Sequence, residues 1–284
     1  MRRSAWAAWA VLAAPTWAAP AIKLGASDWE RGIEIRASDH PDMVMFLWFY
    51  EHNLFDAVER GHNTSGNWRA SKRSVDPAGA RVTVEAPNFK LFAAAVEDGV
   101  TLRLEAVNGS PHDWPDVAGI IPCFNPGLLQ NTAVRAPRNP QFADEDRSRT
   151  YFLGAAGLEK LDSREVHFNG KLRSRIELLS SNGFFAFSGK WPTAAVDARA
   201  GILIRESLDG KWVAGIAWDD FVSVNGHNPR KCMHVGVRVG PLARGASQSR
   251  RGKIYLFRGA KEECLRRMMR ELPIPQAHPS GGGS

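Results

Sequence analysis

The chain reads as all-β, a sandwich or supersandwich of two antiparallel sheets with one short C-terminal helix, on three grounds. Short segments rich in Val, Ile, Phe, Trp and Tyr recur roughly every ten residues, as in β sandwiches. Gly, Pro, Asn and Asp punctuate the gaps between them. Helical spacing of apolar residues is convincing only at 261–270, where Leu265, Met268 and Met269 share one side.

The segments follow in order. Residues 32–36 alternate as a short strand, and Asp39-His40-Pro41-Asp42 turns. The run 43–53 is almost continuously apolar and aromatic, which fits a buried strand, and ends in Tyr50, Glu51 and His52. Simple alternation places Tyr50 and His52 on one face. Residues 56–80 lack periodicity and form a long polar loop carrying Gly61-His62-Asn63 and Trp68-Arg69; loops of that length are usually functional or mobile. Strands are predicted at 80–85, 89–96 and 100–108, the last two joined by Glu97-Asp98-Gly99, a hairpin signal. A further strand at 117–124 precedes an excursion over 128–149, where Asp144-Glu145-Asp146 reads as a plain acidic loop. Strands resume at 150–153, 163–169, 174–179, 184–188 and 202–207.

The stretch 211–259 carries most information. It holds segments at 212–224, 232–239 and 252–257, and a turn Asn225-Gly226-His227-Asn228-Pro229 with a histidine at its tip. His234 follows on the next segment, so two imidazoles, Asn228 and the cations Arg230, Lys231 and Arg238 are expected at one end of a sheet. The tripeptide Gly-His-Asn occurs in both the early loop and this turn.

Residues 1–21 resemble a secretory signal: Arg2 and Arg3, an apolar middle, and Ala19-Pro20-Ala21 before a mature start near Ile22. A single domain is expected over 22–272, and a disordered Pro/Gly/Ser-rich tail over 273–284. No later run reaches the length of about 18 apolar residues that a membrane span needs, so a soluble secreted or periplasmic protein is expected. The net charge of +7 falls to +5 without Arg2 and Arg3, and arginine dominates. Such a surface favours carboxylate or sulfate partners through bidentate contacts. No nucleic-acid-binding motif is present. Three cysteines, Cys123, Cys232 and Cys264, allow one bridge plus a thiol or three buried thiols.

Two passages resemble the galactose-mutarotase-like β supersandwich of aldose epimerases and accessory domains of polysaccharide lyases and glycosidases. One is the strand from Val100 through Asn108-Gly109-Ser110, followed by Gly119-Ile120-Ile121-Pro122-Cys123-Phe124-Asn125. It is similar to the epimerases' Asn-ended strand and Gly-x-His-Pro-Tyr-Phe segment. The other is the turn Gly240-Pro241-Leu242-Ala243-Arg244-Gly245 before a charged strand. Ile121 stands where those enzymes carry a catalytic His, and Cys123 where they carry Tyr, so their usual mutarotation is not implied. What the resemblance implies is the fold and a sugar as ligand.

The expected chemistry is lyase-type elimination on an acidic polysaccharide. It needs a base beside a uronic carboxylate, a group neutralising that carboxylate, and an acid for the leaving oxygen. Tyr50, His52, His62, His227 and His234 are the catalytic candidates. Trp48, Asn63, Trp68, Arg69, Trp218, Asn228 and Arg230 are the substrate-binding ones, and no cofactor is required. An epimerase or hydrolase using Glu51, Asp219 or Asp220 is the second expectation, although adjacent carboxylates on one strand would face opposite ways. A non-catalytic glycan-binding or structural module is the third. A zinc site built from His52, His62, His227 and His234 lacks HxH or HExxH spacing.

Overall fold

A computed structural model describes residues 22–27, 32–54, 64–65, 71–127, 139–143, 148–162, 164–181, 192–226 and 232–273. Among these, two antiparallel sheets account for nearly all regular structure. The first sheet runs in the order β1 (Ile22–Ala26), β2 (Gly32–Ala37), β3 (His40–Leu54), β9 (Gly119–Asn125), β16 (Met233–Arg238), β15 (Phe221–Gly226) and β12 (His167–Phe168), with β4 (Thr64–Ser65) paired to β3. The second runs β11 (Gly157–Lys160), β10 (Thr150–Gly154), β13 (Gly201–Glu206), β14 (Trp212–Trp218), β17 (Ser247–Arg258), β8 (Gly99–Val107), β7 (Phe89–Val96), β6 (Arg81–Ala86) and β5 (Lys72–Val75).

Period-two alternation builds the space between the sheets. Met43, Met45, Leu47 and Phe49 of β3, Ile120 and Phe124 of β9, and Met233, Val235 and Val237 of β16 join one core with Leu91, Leu102, Leu104, Ile216 and Ile254 of the second sheet. Each such side chain removed from water contributes roughly 1.5–3 kcal/mol. The other face of β9 belongs elsewhere: Ile121 packs with Val166, Phe168, Leu172, Ile176 and Val222.

Two helices cover outer faces. The predicted C-terminal helix is α2 (Lys261–Glu271), which lays Cys264 and Met268 on the second sheet. Gly215 makes that approach possible, because a Cβ there would lie 2.4 Å from the Met268 methyl. The segment 174–179, expected as a strand, is helix α1 (Arg173–Ser181). Ile176 is its buried contact, and Arg173 holds Glu177 one turn on while also bonding Asp197, which favours helix over strand. The segment 212–224 is two strands, because Asp219-Asp220 forms the turn between β14 and β15. Strand β1 was not expected, β17 is longer than the predicted 252–257, and the segment 163–169 yields only the two-residue β12. The acidic run Asp144-Glu145-Asp146 and the predicted strand 184–188 lie outside the described residues.

Candidate functional site

Alternation in β3 fails where the candidates were expected. Trp48 lies opposite Cys123 and His52 opposite Ile121, so four steps along β3 match two along β9. The intervening bulge holds Tyr50 at φ 59, a left-handed conformation that an aromatic residue rarely adopts. It turns Tyr50 inward: the ring packs 4.8 Å from Phe89 and joins the core between the sheets. The bulge breaks the simple alternation at Tyr50. His52 and Glu51 are placed only as strand positions, with β4 paired at His52 and Asn53.

The other candidates fall in three places. Trp218 is 1% exposed inside the core between the sheets, where a sugar has no access to it. Trp48, beside Phe46, is also buried. His62, Asn63, Trp68, Arg69, His227, Asn228 and Arg230 lie outside the described residues. Gly226 and Cys232, which flank 227–231, are at the Asn125 end of the first sheet, whereas Leu54 and Thr64, which flank 55–63, are at the Gly119 end. Arg238 is likewise at the Gly119 end, the length of β16 away from Met233, so it does not gather with the His-tipped turn.

His234 sits directly opposite Cys123. Cys232, one position before β16, shares that patch, and the ligating atoms of Cys123, Cys232 and His234 all lie within 4.8 Å of one another. All three residues are buried, and the three cysteines of the chain are free thiols. Cys264 stands apart in α2, where burial pushes its thiol pKa up and leaves it unreactive.

The group that sequence reasoning placed second is the better-formed site. A cleft of about 570 Å³ opens at the Gly119 end, lined by Asn169, Lys171, Arg199, Asp219, Asp220, Phe221, Arg238 and Arg250 among others. The turn between β14 and β15 supplies its acids. Asp219 is fixed through its backbone, its N–H donating to the Arg251 carbonyl at 2.9 Å, and its Oδ2 accepts from the Arg251 N–H at 3.0 Å. Its Oδ1 is buried with no hydrogen-bond partner among the described residues. Burial raises the pKa of Asp219, helped by the neighbouring Asp220, against the backbone hydrogen bond from Arg251 and the charges of Arg250 and Arg251.

Asp220 is engaged differently, with Oδ2 3.5 Å from Arg238 and 3.4 Å from Arg250. Arg238 also donates to the Asp116 carbonyl at 2.6 Å, and Arg250 to the Arg238 carbonyl at 2.7 Å, which holds both guanidinium groups over the cleft wall. Lys171 pairs with no acid among the described residues. The cleft thus combines a largely buried carboxyl with a raised pKa, a wall of guanidinium groups and an aromatic residue at Phe221, the ingredients of a polar-ligand site. Sequence reasoning ranked Asp219 low because it was set on a strand; the turn gives it a hydrogen-bond ladder and a buried oxygen.

No family model matches the chain, and no curated protein matches its sequence. Among solved structures it is similar to a polysaccharide lyase, at 6% identity and TM-score 0.44, over 87% of this chain and 34% of that one. It is also similar to a galactose mutarotase-like protein from Lactobacillus casei, at 12% identity and TM-score 0.46, over 83% of this chain and 97% of that one. A third, provisionally assigned as an aldose 1-epimerase, from Klebsiella pneumoniae subsp. pneumoniae, has 12% identity and TM-score 0.34, over 94% of this chain and 63% of that one. The chain spans about a third of the length of the lyase. The chemistry of the cleft rests on its own residues.

Proposed function

We propose that the protein is an exported glycan-acting protein that takes an acidic polysaccharide in the cleft at the β14–β15 turn, with lyase-type elimination as its reaction. The observation that carries this reading is Asp219, a largely buried carboxyl with a raised pKa and an unpartnered oxygen, set among Arg238, Arg250 and Lys171. Elimination at a uronic residue takes a proton from the carbon beside the carboxylate and delivers one to the departing glycosidic oxygen. Cations at the carboxylate stabilise the charge that builds up between those events. Asp219 is a carboxyl whose pKa burial raises, the direction a proton-carrying group needs, and the guanidinium groups suit a carboxylate. Binding without turnover is the second reading. It is favoured by the engagement of both Arg238 and Arg250 with Asp220, which leaves Lys171 to meet a ligand.

The test is incubation of the full chain with uronic-acid polymers, following the ultraviolet absorbance of the unsaturated product. Asp219→Asn is expected to lower turnover by about 100-fold or more. It should hold or raise the melting temperature. The sign follows from the raised pKa: the folded state disfavours the ionised carboxylate, so Asp219 loses stability for the fold as pH rises past about 4, the unfolded value. Retardation in acidic-glycan gels without an absorbing product selects the binding reading. If neither signal appears, or Asp219→Asn and Lys171→Ala leave both unmoved, the cleft is not the site.

A further inference from the structure

The cleft leaves unused a close set of soft donor atoms among the described residues. Cys123 lies within β9, on the side of the strand away from the core, since its neighbour Phe124 joins that core and Cys123 does not. His234 occupies the register position directly opposite it on β16. Cys232 is two residues before His234, and in extended chain that spacing returns a side chain to the same face. Two neighbouring strands held together by sheet hydrogen bonds thus bring two sulfurs and an imidazole nitrogen together, each donor within 4.8 Å of the others. Ligands at about 2.3 Å for sulfur and about 2.0 Å for nitrogen around a tetrahedral ion sit roughly 3.5–3.8 Å apart. The difference is of the size that side-chain rotation spans.

The surroundings are those of a ligand set. Asn125, next but one to Cys123 and on the same side of β9, directs its amide Nδ2 at Cys232 Sγ from 3.7 Å. An N–H donor to sulfur steadies a thiolate, the form that binds metal. All three donors are buried, Cys123 and Cys232 completely and His234 at 3% exposed. An ion would convert this buried set into a cross-link between β9 and β16. Thiolate with imidazole selects zinc over calcium, magnesium or manganese, which prefer oxygen.

We propose that Cys123, Cys232 and His234 bind one Zn²⁺, a metal centre distinct from the cleft. His234 is four residues along β16 from Arg238, roughly 13 Å at strand rise. The ion ties the β9–β16 pair at the Asn125 end of the sheet, and its three protein ligands leave a fourth coordination position for water or another donor. His234, one of the four histidines weighed for zinc in the sequence, meets here two cysteines whose partnership only the sheet register reveals.

The experiment uses the full chain produced with zinc in the medium and isolated without chelator. Elemental analysis is expected to find about one zinc per chain, falling at least tenfold in Cys123→Ser and in His234→Ala. A mercurial thiol reagent should release that zinc from the wild type in step with two thiols. Because the variants can lose metal by failing to fold, cobalt substitution of the wild type is the second reading. It should give the strong near-ultraviolet thiolate charge-transfer bands of two sulfur ligands in tetrahedral geometry. The proposal is overturned by wild type that stays metal-free after reduction and zinc addition, by a Cys123–Cys232 disulfide in the freshly isolated protein, by octahedral cobalt without charge-transfer bands, or by variants that keep their zinc.

Discussion

Asp98→Ala is expected to destabilise the protein by about 3 kcal/mol, near the lower end for removing one partner of a buried ion pair. Asp98 lies in the tight turn between β7 and β8, yet its side chain is 12% exposed and meets Lys253 at 2.5 Å and Arg267 at 2.9 Å. Lys253, 10% exposed, also holds Glu271 at 2.7 Å, and Tyr255 donates to the same carboxylate at 3.2 Å. This network fastens α2 to the second sheet at two points, with Arg267 stacked 4.0 Å over Phe257. Removing Asp98 leaves Lys253 and Arg267 partly desolvated and short of one counter-charge. The melting temperature should fall by roughly 6–10 °C at this size.

The pH dependence gives a second readout. Burial pushes the Asp98 pKa up, but hydrogen bonds from Lys253 and Arg267 and their charges outweigh it, and the net shift is downward. A depressed carboxyl contributes stability that is present above its unfolded value of about 4 and is lost as pH falls below that. Wild type should therefore lose stability on acidification more steeply than Asp98→Ala, with the two curves converging at low pH. Breaking the exposed pair Lys90–Glu85 with Glu85→Gln is the control and should leave the melting temperature unmoved. Equal melting temperatures for wild type and Asp98→Ala would show that α2 is held by its apolar face alone.

How far the sequence went is visible in that turn. Glu97-Asp98-Gly99 between two alternating runs marked the β7–β8 hairpin, because turn chemistry and period two are local signals. That Asp98 also anchors a helix begun at Lys261 is a long-range fact no local pattern carries. The two-sheet class was legible for the same local reason, and α2 through its apolar stripe. Helix α1 was hidden because its short apolar set fits either period, and the pairing of Arg173 with Asp197 that fixes it comes from another segment. The β14–β15 turn has no Gly or Pro, so Trp212 to Val224 read as one strand and Asp219 lost its place. The bulge at Tyr50 has no glycine to announce it either. Strand register explains the rest. His234 was recognised as chemically important from its type, but its partner Cys123 lies on a distant strand and becomes its neighbour only through β9–β16 pairing.

Trp218 separates a binding role from a packing role most sharply. Sequence reasoning offered it as a stacking surface for sugar; the structure buries it among core residues with Gly252 of the adjacent strand against its ring. A Cβ at Gly252 would lie 2.6–2.8 Å from three Trp218 ring atoms, so the ring fills the space that glycine leaves. Trp218→Ala then opens a cavity of nearly indole size, and large-to-small core changes of this kind cost about 3–5 kcal/mol. Gly252→Val should be destabilising as well, through overpacking against the same ring, by roughly 1–3 kcal/mol. Chemical denaturation checks both, with the midpoint falling at an unchanged slope. In an acidic-glycan gel under conditions where the variant remains folded, Trp218→Ala should migrate with the wild type. Loss of glycan binding with an unchanged midpoint would instead return Trp218 to the surface of a sugar site and require a different packing of β14 on β17.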